Sequence, residues 1–283
     1  MKVLLTGANG QLGRCFQDRL PTGWQILATD SAELDITELA QVTAAITAFK
    51  PDAIVNAAAY TAVDKAESEI ELAERINATG PANLASVAAQ HGIRFVHVST
   101  DYVFDGNAST PYTEESPTNP LSVYGRTKLA GEHAVSAAAP NAIIVRTAWV
   151  FSEYGNNFVK TMLRLGKERD ALSIVGDQRG CPTYAGDIAQ AIIALLQQQA
   201  AGGIYHYTGD KEVSWFEFAQ AIFTVAVQKA VLSKAPTLTP ITTEQYPTPA
   251  HRPAYSTLAG DKIKGLGIAL SDWQSALSTT IGD

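Results

Sequence analysis

Lys2-Val3-Leu4-Leu5-Thr6-Gly7-Ala8-Asn9-Gly10-Gln11-Leu12-Gly13 is the stretch on which the fold reading turns. A short apolar run ends in three glycines at i, i+3 and i+6, at the point where a helical pattern begins. Gly7 permits the tight turn, and Gly10 lets a pyrophosphate approach the backbone. Gly13 allows the helix to pack closely on a sheet, while Gln11 and Leu12 present free N–H groups at the helix start. Such spacing alone is common, and a glycine turn without a ligand is the bland reading. Its position between a strand and a helix is the context that points to a dinucleotide.

Working outward, short β-branched runs at 2–6, 25–30, 53–59, 94–100 and 142–148 alternate with helix-like segments at 11–20, 36–50, 66–91 and 123–138. Continuous apolar strands such as Ile143-Ile144-Val145 suit a parallel sheet buried on both faces. The pattern predicts an α/β fold with a doubly wound parallel sheet of the Rossmann type over residues 1–150. Beyond Trp149 it changes. Helix candidates at 157–168, 185–199 and 215–229 are separated by brief strands at 172–175 and 204–207, and a proline-rich stretch at 246–253 excludes regular structure. Residues 151–283 read mainly as a smaller substrate-binding lobe, with some elements returning to the cofactor domain.

Bulk composition narrows the function. The chain has 283 residues, a formal net charge of −7 and no basic cluster, so no nucleic-acid partner is expected. No apolar stretch is long enough for a membrane span, and the N-terminal run is too short for a signal peptide. The two cysteines, Cys15 and Cys181, share no metal-ligand spacing and fit a reducing compartment. A cytoplasmic protein, monomer or homodimer, is the expectation.

At the cofactor end, Asp30 closes the second strand, where a carboxylate can accept from the adenosine ribose hydroxyls. It would repel a 2′-phosphate and so favour NADH, but Arg14 can offset that, which leaves NADH and NADPH both open. A loop cap is the structural alternative. The small residues of Asn56-Ala57-Ala58-Ala59-Tyr60-Thr61 let a nicotinamide lie against the strand ends, although tight strand packing would use them too.

At the chemical end, Tyr124-Gly125-Arg126-Thr127-Lys128 puts a phenol and an ammonium one helical turn apart. A phenol titrates near 10, and a neighbouring cation together with the positive nicotinamide would bring it down toward a useful range. Lys128 is the expected source of that charge and would also hold the nicotinamide ribose. A tyrosine and lysine at this spacing usually mark nothing more than a solvated helix face. The matching hydroxyl is Thr100, at the end of the fourth strand in Ser99-Thr100-Asp101-Tyr102, unless it serves only as a cap. With Thr100 bonded to a substrate carbonyl, Tyr124 would deliver the proton as hydride arrives.

These motifs resemble the extended short-chain dehydrogenases, and within them the reductases of 4-keto sugar nucleotides. The resemblance covers nearly the whole chain. It includes Thr61-Ala62-Val63-Asp64-Lys65-Ala66-Glu67, Arg146-Thr147-Ala148-Trp149-Val150, Gly155-Asn156-Asn157-Phe158 and the 246–253 stretch. It implies Thr100, Tyr124 and Lys128 as the catalytic set, and Thr100, Asp101 and Trp149 at the sugar nucleotide. It further implies Gly10, Gln11, Leu12, Asp30, Asp35, Ile36, Ala59, Tyr60 and Thr61 around the cofactor. The implied reaction is NAD(P)H-dependent reduction of dTDP-4-dehydro-6-deoxy-L-mannose to dTDP-L-rhamnose. Trp149 as a plain core residue is the alternative.

Two departures bear on this. Dehydratase relatives carry Asp-Glu after the threonine, where this chain has Asp101-Tyr102, and epimerases lack the acid there, so both match less well. Some relatives dimerise around magnesium held by glutamates; the corresponding places here are Cys15 and Gly186, poor ligands for a hard cation. No metal is expected, although Asp187 is a nearby carboxylate. The competing function is a non-catalytic regulatory subunit that binds a dinucleotide, and such relatives lose part of the threonine, tyrosine and lysine set that this chain keeps.

Overall fold

A computed structural model describes residues 1–282. The first half runs β1 (Lys2–Thr6), α1 (Gln11–Asp18), β2 (Gln25–Thr29), α2 (Leu39–Phe49), β3 (Ala53–Asn56), α3 (Val63–Ala66), α4 (Ile70–Glu74), a π-turn (Arg75–Thr79), α5 (Gly80–Gln90), β4 (Arg94–Thr100), α6 (Val123–Ala138) and β5 (Ile143–Thr147). The second half adds β6 (Val150–Phe151), α7 (Phe158–Glu168), β7 (Ala171–Val175), β8 (Arg179–Gly180), β9 (Thr183–Tyr184), α8 (Ala185–Gln197), β10 (Gly203–His206), β11 (Val213–Ser214), α9 (Trp215–Gln228), β12 (Thr237–Ile241), α10 (Asp261–Lys264) and α11 (Trp273–Thr280).

Six strands form one parallel sheet in the order β10-β5-β4-β3-β1-β2. Alternate residues serve opposite faces, as the strand period of two requires. Val3, Leu5, Val55, Val96 and Val145 pack under α1 and α8, whereas Leu4, Ile54, Phe95 and Ile144 pack under α2 and α5. Both faces are thus covered by helices, which the continuous apolar runs demanded. The chain leaves β1 for β2 on one side and returns to β3 on the other. That reversal opens a crevice at the carboxyl ends of β1 and β3, the place where ligands of such sheets bind.

The second hydrophobic cluster is built by Phe151, Val159, Met162, Ile174, Phe218, Phe223 and Trp273 from α7, α9, α11 and the short strands. The segment after residue 150 is divided between the two layers: α8 packs on α1, and β10 extends the main sheet beside β5.

Several boundaries differ from the periodicity. The helix read across 66–91 is broken into α3, α4, the π-turn and α5. Between α3 and α4 the Glu67 carboxylate accepts from Val123 N–H at 2.8 Å, capping the start of α6. The π-turn sets Asn77 between the Tyr60 backbone and the Thr127 hydroxyl, and Gly131 lets α6 ride directly on the Asn77 carbonyl. The third strand stops at Asn56, whose side-chain oxygen accepts from Ala58 N–H and Thr6 Oγ1 and replaces ladder partners. Strand β12, which contains Pro240, was not expected; it pairs on one side with β7, an edge that tolerates proline.

Candidate active site

The glycine loop has the geometry its spacing predicts. Gly7 takes φ +71°, and a Cβ there would stand 2.6 Å from the backbone of Ala58; one on Gly13 would stand 2.2 Å from the Gly7 carbonyl oxygen. No side chain caps α1 at Gly10, so its first amides remain for a ligand. The loop forms one end of a cleft of about 1090 Å³ that runs along the carboxyl edge of the sheet.

Gly7, Gly10, Gln11, Leu12, Gly13, Asp30, Asp35, Ile36, Ala59 and Thr61 all line this cleft, and so do Thr100, Asp101, Tyr124, Lys128 and Trp149. Tyr60 does not. Its hydroxyl turns away to donate to Glu69 and its backbone is tied to Asn77, so of this residue the cleft keeps only the chain direction. Gln11 also fastens the second layer over the loop, because its side-chain oxygen accepts from Ser152 Oγ at 3.0 Å and Asn157 Nδ2 at 2.9 Å.

Asp30 stands beside the loop, Oδ2 accepting from Asn9 N–H at 3.3 Å and Oδ1 from Ser31 N–H at 2.6 Å. Arg14 reaches Asn9 Oδ1 at 3.2 Å rather than Asp30. The sequence reading overlooked Arg75, which lines the same end and helps to hold the Asp35 carboxyl below its ordinary range, after two hydrogen bonds from Thr37. Its place on the π-turn could not be read from helical periodicity. A dinucleotide fits this end: a cradle that any Cβ would fill, uncapped helix amides and a carboxylate at the end of β2.

At the other end, Thr100 Oγ1 donates to Asp101 Oδ1 at 3.0 Å and accepts from Tyr102 N–H at 3.2 Å. Asp101 is 2% exposed, and among the described residues its Oδ2 has no hydrogen-bond partner. Burial pushes its carboxyl up to about 6, while the Ser256 and Thr100 hydroxyls pull the other way.

Tyr124 packs edge-on against the Tyr102 ring, with centroids 5.4 Å apart. Lys128 does not lower this phenol as expected. Its Nζ donates to the Val98 carbonyl at 2.7 Å, and burial pushes Tyr124 up to about 12, opposed by Thr100 and reinforced by the Asp101 charge. Lys128 itself is pushed down to about 8 by burial, with Glu132 opposing the fall. Glu132 is buried beneath it, accepting from Ser99 Oγ at 2.5 Å and from Arg146 Nε and Nη2 at 2.9 and 2.6 Å.

Trp149 follows β5 with φ +47°, and its indole lies face to face on Trp215, with centroids 3.5 Å apart and planes 6° apart. It both packs against the second core and lines the cleft. Trp215 and Phe158 also line this end. The sequence reading missed Trp215 because it begins a helix distant in the chain.

The magnesium question resolves in the side chains present. Cys15 is buried with its thiol pushed up to about 12, mainly by burial. A side chain at Gly186 would meet the Arg19 guanidinium at 2.4 Å. Arg19 donates to Tyr184 Oη at 2.9 Å, and Asp187 accepts from Ser271 Oγ at 2.6 Å. A cation already fills this place, so the residues do not fit a bound magnesium. Among the described residues no helix is long and apolar enough to cross a membrane.

Comparison with known proteins places the whole chain in one family. The family model described as the RmlD substrate binding domain matches residues 1–283. A dTDP-4-dehydrorhamnose reductase of Aggregatibacter actinomycetemcomitans is 50% identical over 284 residues, covering 98% of this chain and 97% of that protein. The crystal structure of a dTDP-4-dehydrorhamnose reductase from Clostridium acetobutylicum superposes with a TM-score of 0.94 at 43% identity, covering 99% of this chain and 98% of that one. The Bacillus anthracis reductase in complex with NADP superposes with a TM-score of 0.93 at 40% identity, again covering 99% and 98%. With its parallel sheet, glycine loop and threonine, tyrosine and lysine set, this chain belongs to the dTDP-4-dehydrorhamnose reductase family.

Proposed function

We propose that the protein reduces the 4-keto group of dTDP-4-dehydro-6-deoxy-L-mannose to give dTDP-L-rhamnose. The observation that carries this is the cleft itself: one continuous space joins the glycine loop to Thr100, Asp101, Tyr124, Lys128 and Trp149. Gly7, Gly10, Gln11, Leu12 and Gly13 hold the pyrophosphate of the cofactor, Asp30 its adenosine ribose, and Asp35, Ile36, Ala59 and Thr61 the flanking surface. Lys128 holds the nicotinamide ribose. A reduced nicotinamide bound there supplies the hydride.

Thr100 donates to the substrate carbonyl oxygen, giving up its bond to Asp101. Tyr124 delivers the proton to the same oxygen. Its raised phenol is fully protonated at neutral pH, and an alkoxide is basic enough to take that proton. Asp101 accepts from a sugar hydroxyl, and the Trp149 indole covers an apolar face of the deoxysugar. The Asp30 carboxylate disfavours a 2′-phosphate, while Arg14 and Arg75 put positive charge at the same end, so NADH and NADPH are to be compared directly.

The test is oxidation of each cofactor by the purified protein with dTDP-4-dehydro-6-deoxy-L-mannose. Substrate-dependent oxidation with dTDP-L-rhamnose as product is expected. Cofactor binding without turnover would instead favour a regulatory subunit.

A further inference from the structure

Trp149 is a bulky residue held at φ +47°, a left-handed backbone conformation that tryptophan rarely adopts. Such a conformation persists only where its surroundings over-determine it, and it concentrates at ligand sites. Three contacts fix it here. The Trp149 carbonyl accepts from Thr183 N–H at 3.1 Å, where β6 and β9 pair. The indole lies flat on Trp215, whose ring also meets the Phe158 ring at 4.7 Å. A Cβ on Gly180 would stand 2.7 Å from Trp149 Cε2 and 2.8 Å from Nε1, so any other residue there would displace the indole.

Gly180 and Trp215 arrive together. Strands β8 and β11 pair with Gly180 opposite Val213 and Arg179 opposite Ser214, and Ser214 caps α9, whose first residue is Trp215. Arg179 locks that ladder by donating to Glu212 at 2.6 Å and Glu217 at 3.2 Å. One small ladder thus delivers both the flat surface under the Trp149 indole and the space beside it. A face-to-face sandwich is not the arrangement two aromatic rings choose freely, so the stack is imposed by this scaffold.

We propose that Trp215, with Gly180 beside it, is the positioning residue that sets the Trp149 indole across the sugar end of the cleft and so determines recognition of the deoxysugar. This rests on the reading above that Trp149 meets the sugar.

The experiment uses the intact protein and its Trp215→Leu, Trp215→Phe, Gly180→Ala and Trp149→Phe variants. Binding of dTDP-L-rhamnose and of dTDP alone is measured by calorimetry. The Trp149 indole N–H resonance is followed by NMR, where four tryptophans make assignment simple. Trp215→Leu should move that resonance as the ring current is lost, and weaken dTDP-L-rhamnose by about tenfold or more relative to dTDP, a step of one decade in affinity. Trp215→Phe keeps a flat ring and should recover most of the loss. Gly180→Ala should act in the direction of Trp215→Leu, and it tests the idea even where the leucine variant folds poorly.

An unchanged ratio in Trp215→Leu and Gly180→Ala, with the ratio lowered in Trp149→Phe, would overturn the inference and leave the sugar contact standing. Equal losses for both ligands would overturn it too, because Trp215 would then act on the nucleotide and not through Trp149. An unchanged ratio in Trp149→Phe removes the sugar contact itself, and the inference falls with it.

Discussion

The Lys128 ammonium, one helical turn from Tyr124 on α6, donates to the Val98 carbonyl oxygen at 2.7 Å. Burial pushes the Tyr124 phenol up to about 12, so it is an acid at neutral pH. Replacing Tyr124 by Phe removes the proton donor and leaves the ring against Tyr102. Turnover should fall by at least about a hundredfold, the ordinary scale of general acid catalysis, with cofactor affinity nearly unchanged. Near-normal turnover would remove Tyr124 from the chemistry.

Lys128 gives a second test through pH. Its neighbours are the Glu132 carboxylate below it on α6, the neutral buried His97 and Tyr124. With its pKa near 8 in the free protein, Lys128 loses its charge as pH rises through that value. An alkaline limb near pH 8 is therefore expected in kcat/KM for the cofactor, and Lys128→Arg should move it to higher pH. In stability the sign is opposite: the folded pKa lies below the ordinary 10.5, so the folded state becomes more favoured as pH rises from about 8 toward 10.5. A flat kcat/KM profile across pH 7–10 would contradict the role given to the ammonium.

Glu132 and Arg146 form a buried ion pair, 2% exposed each, that joins α6 to β5 while Ser99 joins it to β4. Removing one charge strands the other. Glu132→Gln alone should destabilise the protein by about 3–5 kcal/mol, whereas Glu132→Leu with Arg146→Met should recover a large part of that loss. Denaturant unfolding of the three proteins decides it: similar stability of the single and double variants would show that the pair is not an electrostatic unit.

At the adenosine end, Asp30→Ser removes the carboxylate beside the Asn9 amide and leaves Arg14 and Arg75 in place. The ratio of NADPH to NADH use should rise. A constant ratio would mean that Asp30 does not face the ribose.

What the sequence made legible was whatever physics writes locally. Glycine spacing, most of the apolar runs and the tyrosine–lysine step on α6 depend on neighbours within a turn or two, and these stand close to where their patterns predicted. The direction of the Tyr124 shift did not follow, because it depends chiefly on burial, which the tyrosine–lysine spacing does not write. The break after α3 was hidden by apolar spacing that continues through it; its cause is Glu67 reaching across to α6. Trp215 carried no local mark of a site at all. It acquires one only when the β8–β11 ladder lays it on Trp149.

Asp101 sets function against stability. Its carboxyl is raised from an ordinary 3.8 to about 6, chiefly by burial. The folded state therefore binds more protons than the unfolded state between those values, and stability falls as pH rises through that window. Above it the whole cost remains, about 3 kcal/mol at 1.36 kcal/mol per pKa unit. The fold keeps this charge where Oδ2 has no partner among the described residues, as an acceptor waiting for a donor would be kept. Asp101→Asn removes the titration. Measured from pH 4 to pH 7.5, the stability of the variant relative to the native protein should rise by about 2–3 kcal/mol, whatever fixed offset the amide introduces. Over the same substitution dTDP-L-rhamnose should bind about 10- to 100-fold more weakly, the usual loss of a hydrogen bond to a charged group. A pH-independent stability difference would mean that the fold does not raise the Asp101 carboxyl above its ordinary value, and unchanged binding would take it out of the sugar site.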